Sequence, residues 1–172
     1  MNKFEAIQNK ISAKDDLLAK VSEWKSQNKR VVFTNGVFDL LHRGHIAYLA
    51  QAADCGDQFI VAVNSDASVK RLEKGASRPL QDETSRALII AALQFVDAVV
   101  VFDDDTPFKL ISELKPEVLI KGGDYDANCT NPSDKKYIVG ADVVKNNGGI
   151  VEVISFVEGY STTRIEEKIK NS

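Results

Sequence analysis

The chain has 172 residues, 44% of them hydrophobic and 27% charged, which suits one globular domain with a sizeable buried core and excludes a disordered chain. A formal net charge of −3 argues against a general nucleic-acid binder, whose footprint is basic. The two cysteines, Cys55 and Cys129, have no CxxC spacing and no histidine near them in sequence, which argues against a disulfide scaffold or a zinc site.

The start, Met1-Asn2-Lys3-Phe4-Glu5, has no apolar signal core, and no apolar run is long enough to span a bilayer. A cytoplasmic protein without membrane contact is the expectation. Residues 4–27 read as an amphipathic helical leader. Asp15 and Asp16 precede a stripe of Leu17, Leu18, Val21 and Trp24 at helical spacing. Such a helix packs on its own domain or on a partner subunit. The division expected is a leader over 1–28 and one domain over 29–172.

Residues 30–34 form the first predicted strand, a β-branched apolar run that ends in a polar turn carrying Gly36. A second turn holds Gly44 between His42 and His45, the only two histidines of the chain. A helical pattern follows at once through Ile46, Leu49, Ala50 and Ala53 and stops near Gly56. Backbone N–H groups at such a helix start point into the loop, and the helix dipole favours an anion there. Each imidazole adds a directed N–H donor, stronger if protonated. A lone histidine at a helix start is ordinarily structural. Two flanking one glycine beside an anion-binding turn suggest a site for a reacting polyphosphate.

Gln58–Asn64 is a continuous apolar run, as a strand buried on both faces requires, and it ends in the polar Asn64-Ser65-Asp66. Residues 65–81 are basic and read as flexible, with Lys70, Arg71, Lys74, Gly75, Arg78 and Pro79. The bland reading is a solvated loop. The functional one is a mobile flap whose cations, Lys70 and Arg78 before Arg71 and Lys74, neutralise phosphates. Residues 82–95 read as a helix with Arg86 as an isolated cation, and residues 98–102 as a strand. Asp103-Asp104-Asp105-Thr106-Pro107 could be a metal site, but capping of the helix Phe108–Leu114 explains it more simply. Residues 117–120 form a fourth strand leading into Lys121-Gly122-Gly123-Asp124-Tyr125, where the glycines permit close backbone approach to a ligand. Residues 126–142 read as irregular or short helix, and 149–156 as the last strand. The last helix then starts at Ser161-Thr162-Thr163-Arg164, with Ser161 or Thr162 as its cap and Glu166 near its first turn. That is a second helix start suited to a phosphate. Alternating strands and helices imply a mostly parallel sheet covered on both faces. The first loop has no GxGxxG string, which disfavours a dinucleotide oxidoreductase.

His42-x-Gly44-His45 resembles the HxGH signature of the nucleotidyltransferase superfamily, whose members join an NTP to a phosphate or phosphorylated alcohol and release pyrophosphate. The longer string Thr34-Asn35-Gly36-x-Phe38-Asp39-x-Leu41-His42-x-Gly44-His45 resembles the cytidylyltransferase-like group, in particular its heptose 1-phosphate adenylyltransferases. The KGGDY loop also matches that group, and the STT turn followed by a basic residue resembles the superfamily's second signature. The resemblance implies a Rossmann-like three-layer α/β/α fold with a five-stranded sheet of order 3-2-1-4-5. That order brings residues 34–45, 121–124 and 161–164 to one crevice.

By the same resemblance, nucleotide binding falls to Thr34, Asn35, Gly36, Phe38, His42 and His45 of the first loop. Lys121, Gly122, Asp124, Ser161, Thr162 and Thr163 join them from the other two segments. Catalysis falls to His42, His45, Lys70 and Arg86; an arginine at the place of Arg86 reaches the phosphates in the superfamily. Asp39, Asp66, Lys70 and Arg78 are expected to meet the second substrate. The implied partners are ATP, or CTP, and a sugar 1-phosphate, with Mg²⁺ carried mainly on the NTP phosphates and no metal ligands from the chain. A homodimer, free-standing and without a kinase half, is expected. The alternative is a cytidylyltransferase acting on glycerol 3-phosphate. That relative has an arginine in R-T-E-G-I-S-T-T where this chain has Phe156. A non-catalytic nucleotide sensor is the reading from a different class, and pyrophosphate release separates it from an enzyme.

Overall fold

Val31, Val32, Phe33 and the run from Phe59 to Val63 are almost wholly removed from solvent, as strands in the middle of a covered sheet must be. A computed structural model describes residues 2–72, 78–123 and 125–171. Its elements are α1 (Lys3–Gln8), α2 (Lys14–Ser26), β1 (Val31–Gly36), α3 (Arg43–Ala53), β2 (Gln58–Asn64), α4 (Asp66–Arg71), α5 (Glu83–Ala91), β3 (Ala98–Phe102), α6 (Phe108–Leu114), β4 (Val118–Gly122), α7 (Ala141–Asn146), β5 (Ile150–Ile154) and α8 (Thr162–Lys170). The five strands are all parallel and lie in the order β3-β2-β1-β4-β5.

Alternate side chains of each strand feed two cores. Val31, Phe33, Ile60 and Leu119 pack with α2, α6 and α7, through Leu17, Leu110, Ile111 and Val144. Val32, Val61, Val63 and Ile120 pack with α3 and α5, through Leu49, Ala52, Ala87 and Ile90. The result is the expected three-layer α/β/α fold.

The leader wraps the β3 edge of the sheet. Ser12 N–H donates to the Val99 carbonyl (2.9 Å) and Val99 N–H to the Lys10 carbonyl (2.8 Å), so Ile11 forms a parallel bridge to Val99. This covers an edge that would otherwise offer unpaired backbone groups. Ile7 of α1 packs on one core, and Leu17 and Val21 of α2 are buried in the other. The single helical region expected over 4–27 is therefore two helices, because the bridge to β3 needs extended backbone between them. Among the described residues, no helix is long and apolar enough to cross a membrane.

Three other local expectations change. The segment expected to be loop after β2 begins with α4, capped by Ser65 Oγ accepting from Ser68 N–H (2.9 Å). The helix expected over 82–95 ends at Ala91, and the Asp97 carboxylate then accepts from Phe59 N–H (2.7 Å) where β3 begins. The aspartates before α6 do not cap it: Pro107 stands at the cap with no side-chain bond. Asp103 and Asp105 instead pair with Arg71 across the loop. Lys74, Gly75 and Asp124 lie outside the described residues.

Candidate active site

Strand order reverses between β1 and β4, and a crevice opens there at the carboxyl ends of the strands, where open α/β sheets bind their ligands. The paired register of β1 and β4 covers Val32↔Val118 and Phe33↔Leu119. One residue further on, the Thr34 hydroxyl donates to the Ile120 carbonyl (3.0 Å) and meets the Tyr48 hydroxyl at 2.6 Å. Asn35, Gly36 and Phe38 from one side and Lys121 and Gly122 from the other then line a cavity of about 480 Å³. His45, Tyr48, Arg78, Phe156 and Thr162 also reach its wall. Thr34, expected to touch nucleotide, is wholly buried and works from behind the wall: it locks Tyr48, whose burial pushes its phenol well above the usual range.

The two helix starts meet at this crevice. His42 is the N-cap of α3, its Nδ1 accepting from Gly44 N–H at 3.1 Å. Only the other ring nitrogen is left to carry a proton in the neutral ring. His42 stacks on His45, with ring centroids 3.9 Å apart. The Phe38 ring meets His45 edge-on at 5.6 Å. Phe38 holds this position from the left-handed region, φ +52°, a conformation that non-glycine residues rarely adopt. His45 Nδ1 is buried with no hydrogen-bond partner among the described residues. Burial is the main reason the His45 pKa falls to about 4, with His42 adding to it and the Leu40 backbone acting the other way. Burial also lowers that of His42. Both rings are therefore neutral at pH 7 in the free protein. At the second start, Ser161 caps α8 by accepting from Arg164 N–H (3.2 Å), and Thr162 Oγ1 reaches the Leu40 carbonyl at 3.5 Å. Thr162 lines the crevice, whereas Ser161 and His42 line a groove beside it and Thr163 is exposed.

Arg86 corrects its expectation. Its side chain is fully buried (0% exposed), and all three guanidinium nitrogens are engaged. Nε donates to the Gln81 carbonyl (3.0 Å), one terminal nitrogen to the Val37 carbonyl (2.8 Å) and the other to Asp66 Oδ1 (2.6 Å). A guanidinium held this way cannot reach a phosphate; it fastens the first loop to the starts of α4 and α5. Asp66 is correspondingly committed to Arg86 and is not on the crevice wall. Asp39 does reach that wall, but its carboxylate accepts from the backbone N–H groups of Leu80 and Gln81, each at 2.9 Å. It clamps the chain where that chain returns to α5.

Of the expected cations, Arg78 lines the crevice and pairs with Glu166 of α8 at 2.7 Å. Lys121 Nζ bonds to Asn35 Oδ1, linking the ends of β4 and β1. Lys70 is exposed on α4. The crevice thus offers cationic groups, two helix N-termini and the His45 imidazole, a set suited to a polyphosphate.

The family profile described as cytidylyltransferase-like matches residues 33–168, from β1 into α8. The chain belongs to the cytidylyltransferase-like family. Curated relatives agree. It is 53% identical over 161 residues to the bifunctional protein HldE of Geotalea uraniireducens, a match covering 94% of this chain and 31% of that one. It is 52% identical over 164 residues to the protein of the same name from Campylobacter jejuni, covering 95% and 32%. The chain thus spans about a third of the length of these relatives. Among solved structures it resembles the lipopolysaccharide core biosynthesis protein of Thermoplasma volcanium, with a TM-score of 0.56 and 29% identity over 77% of this chain and 99% of that one. Pantoate-β-alanine ligase of Francisella tularensis shares the fold, with a TM-score of 0.55 at 14% identity, covering 93% and 76%.

In this cytidylyltransferase-like crevice, sequence reasoning missed Tyr48 and the Arg78–Glu166 pair. Tyr48 follows His45 by three residues, one helical turn, so the same helix start that signals the histidines also signals Tyr48. The Arg78–Glu166 contact joins residues distant in sequence and has no local signal.

Proposed function

We propose that the chain transfers an adenylyl group from ATP to D-glycero-β-D-manno-heptose 1-phosphate, releasing pyrophosphate and making ADP-heptose. The observation that carries this reading is His45: a half-buried imidazole on the crevice wall, stacked on His42 and set between two helix N-termini at the switch point of the sheet. The heptose acceptor is supported by whole-chain similarity to proteins named HldE and by the resemblance of the KGGDY segment to the heptose adenylyltransferases. The product would supply lipopolysaccharide or another surface glycan, in line with the likeness to the lipopolysaccharide core biosynthesis protein of Thermoplasma volcanium.

In the reaction, an oxygen of the heptose 1-phosphate attacks the α-phosphorus of ATP in line. A new P–O bond forms as the bond to the leaving pyrophosphate breaks. No covalent enzyme intermediate is needed, so catalysis consists of positioning and stabilisation of negative charge. His45 donates to an oxygen whose charge grows in that step. His42 stacks behind it and fixes its plane. The N–H groups at the start of α8, around Thr162 and Thr163, hold the distal phosphates. Lys121 adds positive charge at the end of β4 and Lys70 from the exposed side of α4, and Arg78 meets the acceptor phosphate. Asp39, Asp66 and Arg86 act as positioning residues.

Asp39 and Asp105, the carboxylates on the described crevice wall, already accept from protein donors. These residues fit a Mg²⁺ held by the triphosphate rather than by a cage of side chains. When bound, that ion neutralises the phosphate oxygens and the leaving pyrophosphate. The test is incubation of the protein with Mg²⁺, ATP and the heptose 1-phosphate. Pyrophosphate and ADP-heptose should appear in equal amounts by mass spectrometry. Absence of both would contradict the reading.

A further inference from the structure

The first loop and the helix starts provide for phosphates, but they leave open what holds the nucleobase. Phe156 follows β5 and is 60% exposed, unusual for a phenylalanine that lies on a cavity wall. Its ring lies directly across Gly122 and Gly123 at the end of β4. A Cβ added to Gly122 would come within 2.5 Å of the ring, and one on Gly123 would come closer still. Gly123 also has φ +85°. The two glycines thus leave a bare ledge that the ring covers. Behind it, Tyr48 meets Phe156 edge-to-face with centroids 6.3 Å apart, and Tyr48 is itself locked by Thr34. The ring is supported on its protein side and open to solvent on the other. Tyr125, also exposed, stands on the same cavity wall with Lys121 Nζ 5.8 Å from its ring centroid.

We propose that Phe156 is the platform on which the nucleobase stacks, and that it favours a purine over a pyrimidine. This inference rests on the nucleotidyl-transfer reading above. The nucleotide's base is flat and apolar on its faces, and a supported aromatic ring with one free face is its natural complement. The phosphate donors around His45 are on the same crevice, so one nucleotide meets both. A two-ring base covers more of the Phe156 face than a one-ring base does, which is the source of the discrimination.

The test is calorimetric binding of three Mg²⁺ complexes, those of ATP, CTP and inorganic tripolyphosphate, to the wild type, Phe156→Ala and Phe156→Trp. Loss of stacking should weaken ATP about tenfold in Phe156→Ala and CTP less, while tripolyphosphate, which has no base, binds as before. Phe156→Trp should bind ATP at least as tightly as the wild type. Equal weakening of ATP and tripolyphosphate would make Phe156 a packing residue and overturn the proposal. Unchanged ATP affinity in Phe156→Ala would also overturn it, and in a wild type that does transfer the adenylyl group it would leave the function standing. A wild type that releases no pyrophosphate from ATP with any phosphate acceptor is instead a failure of the function itself.

Discussion

At the residue scale, His45 and Arg86 are opposites although both are nitrogen-bearing side chains near one crevice, the first half-buried and the second wholly buried. His45 lines the cavity with its ring stacked on His42; Arg86 has every nitrogen bonded and faces the interior. Replacement of His45 by Ala should therefore lower kcat by ~10²–10³, the cost of removing one preorganised donor, with little change in melting temperature. A folded mutant with a near-normal rate would remove His45 from the chemistry. The depressed pKa of His45 has a second consequence. In the unfolded chain the ring takes a proton near pH 6.5, whereas in the folded protein it resists until about pH 4. Its contribution to stability is thus present above pH 6.5 and is lost as pH falls towards 4. His45→Asn lacks this loss, so the wild type should lose melting temperature relative to that variant across the interval. Parallel curves would contradict the neutral, desolvated imidazole. For Arg86, truncation to Ala strands two carbonyls and leaves the partly exposed Asp66 carboxylate without its partner, a loss of about 2–4 kcal/mol once solvent access to Asp66 is allowed for. Urea denaturation should show that loss, and Arg86→Lys should not restore it, because an ammonium cannot reproduce the planar fork. Wild-type stability with a raised KM for nucleotide would return Arg86 to the phosphates.

At the element scale, the leader is part of the fold and not an appendage. Leu17 is fully buried in the core beneath the sheet. Leu17→Ala should cost about 2–5 kcal/mol in urea denaturation, as large-to-small changes in a packed core do. A loss under about 1 kcal/mol would mean that α2 packs only loosely. By contrast, Arg71 is about half exposed in its pair with Asp103 and Asp105. Its truncation should change stability by no more than about 1 kcal/mol. Strands β1 and β2 and their helices were legible because continuous apolar runs and helical stripes are local signals. The break between α1 and α2 was not, because it exists to let Ile11 bridge to Val99, far along the chain. The three aspartates before α6 misled for the same reason: capping is a local rule, and their partner Arg71 comes from α4. Helix α4 hid in a basic stretch whose composition reads as loop, although Ser65 is an ordinary cap.

At the scale of the whole molecule, the parallel order β3-β2-β1-β4-β5 gathers the HxGH turn, the KGG loop and the STT turn at one switch point. Those three strings were readable in the sequence because each sits where a strand hands over to a helix or loop. What each of their neighbours does was not readable. Whether an arginine such as Arg86 faces phosphate or core depends on the packing of α5 against β2 and β3, and spacing along the chain does not encode it. Likewise Phe156 owes its position to the glycines of another strand. On the proposed function the whole arrangement moves a nucleotidyl group onto a phosphate, and one measurement bears on that proposal most directly. The initial rate of pyrophosphate release is followed for ATP and CTP, each against heptose 1-phosphate and glycerol 3-phosphate. ATP with the heptose 1-phosphate should give the highest kcat/KM, by about tenfold or more over either change of substrate. Preference for CTP with glycerol 3-phosphate, or release from none of the four pairs, would contradict the account.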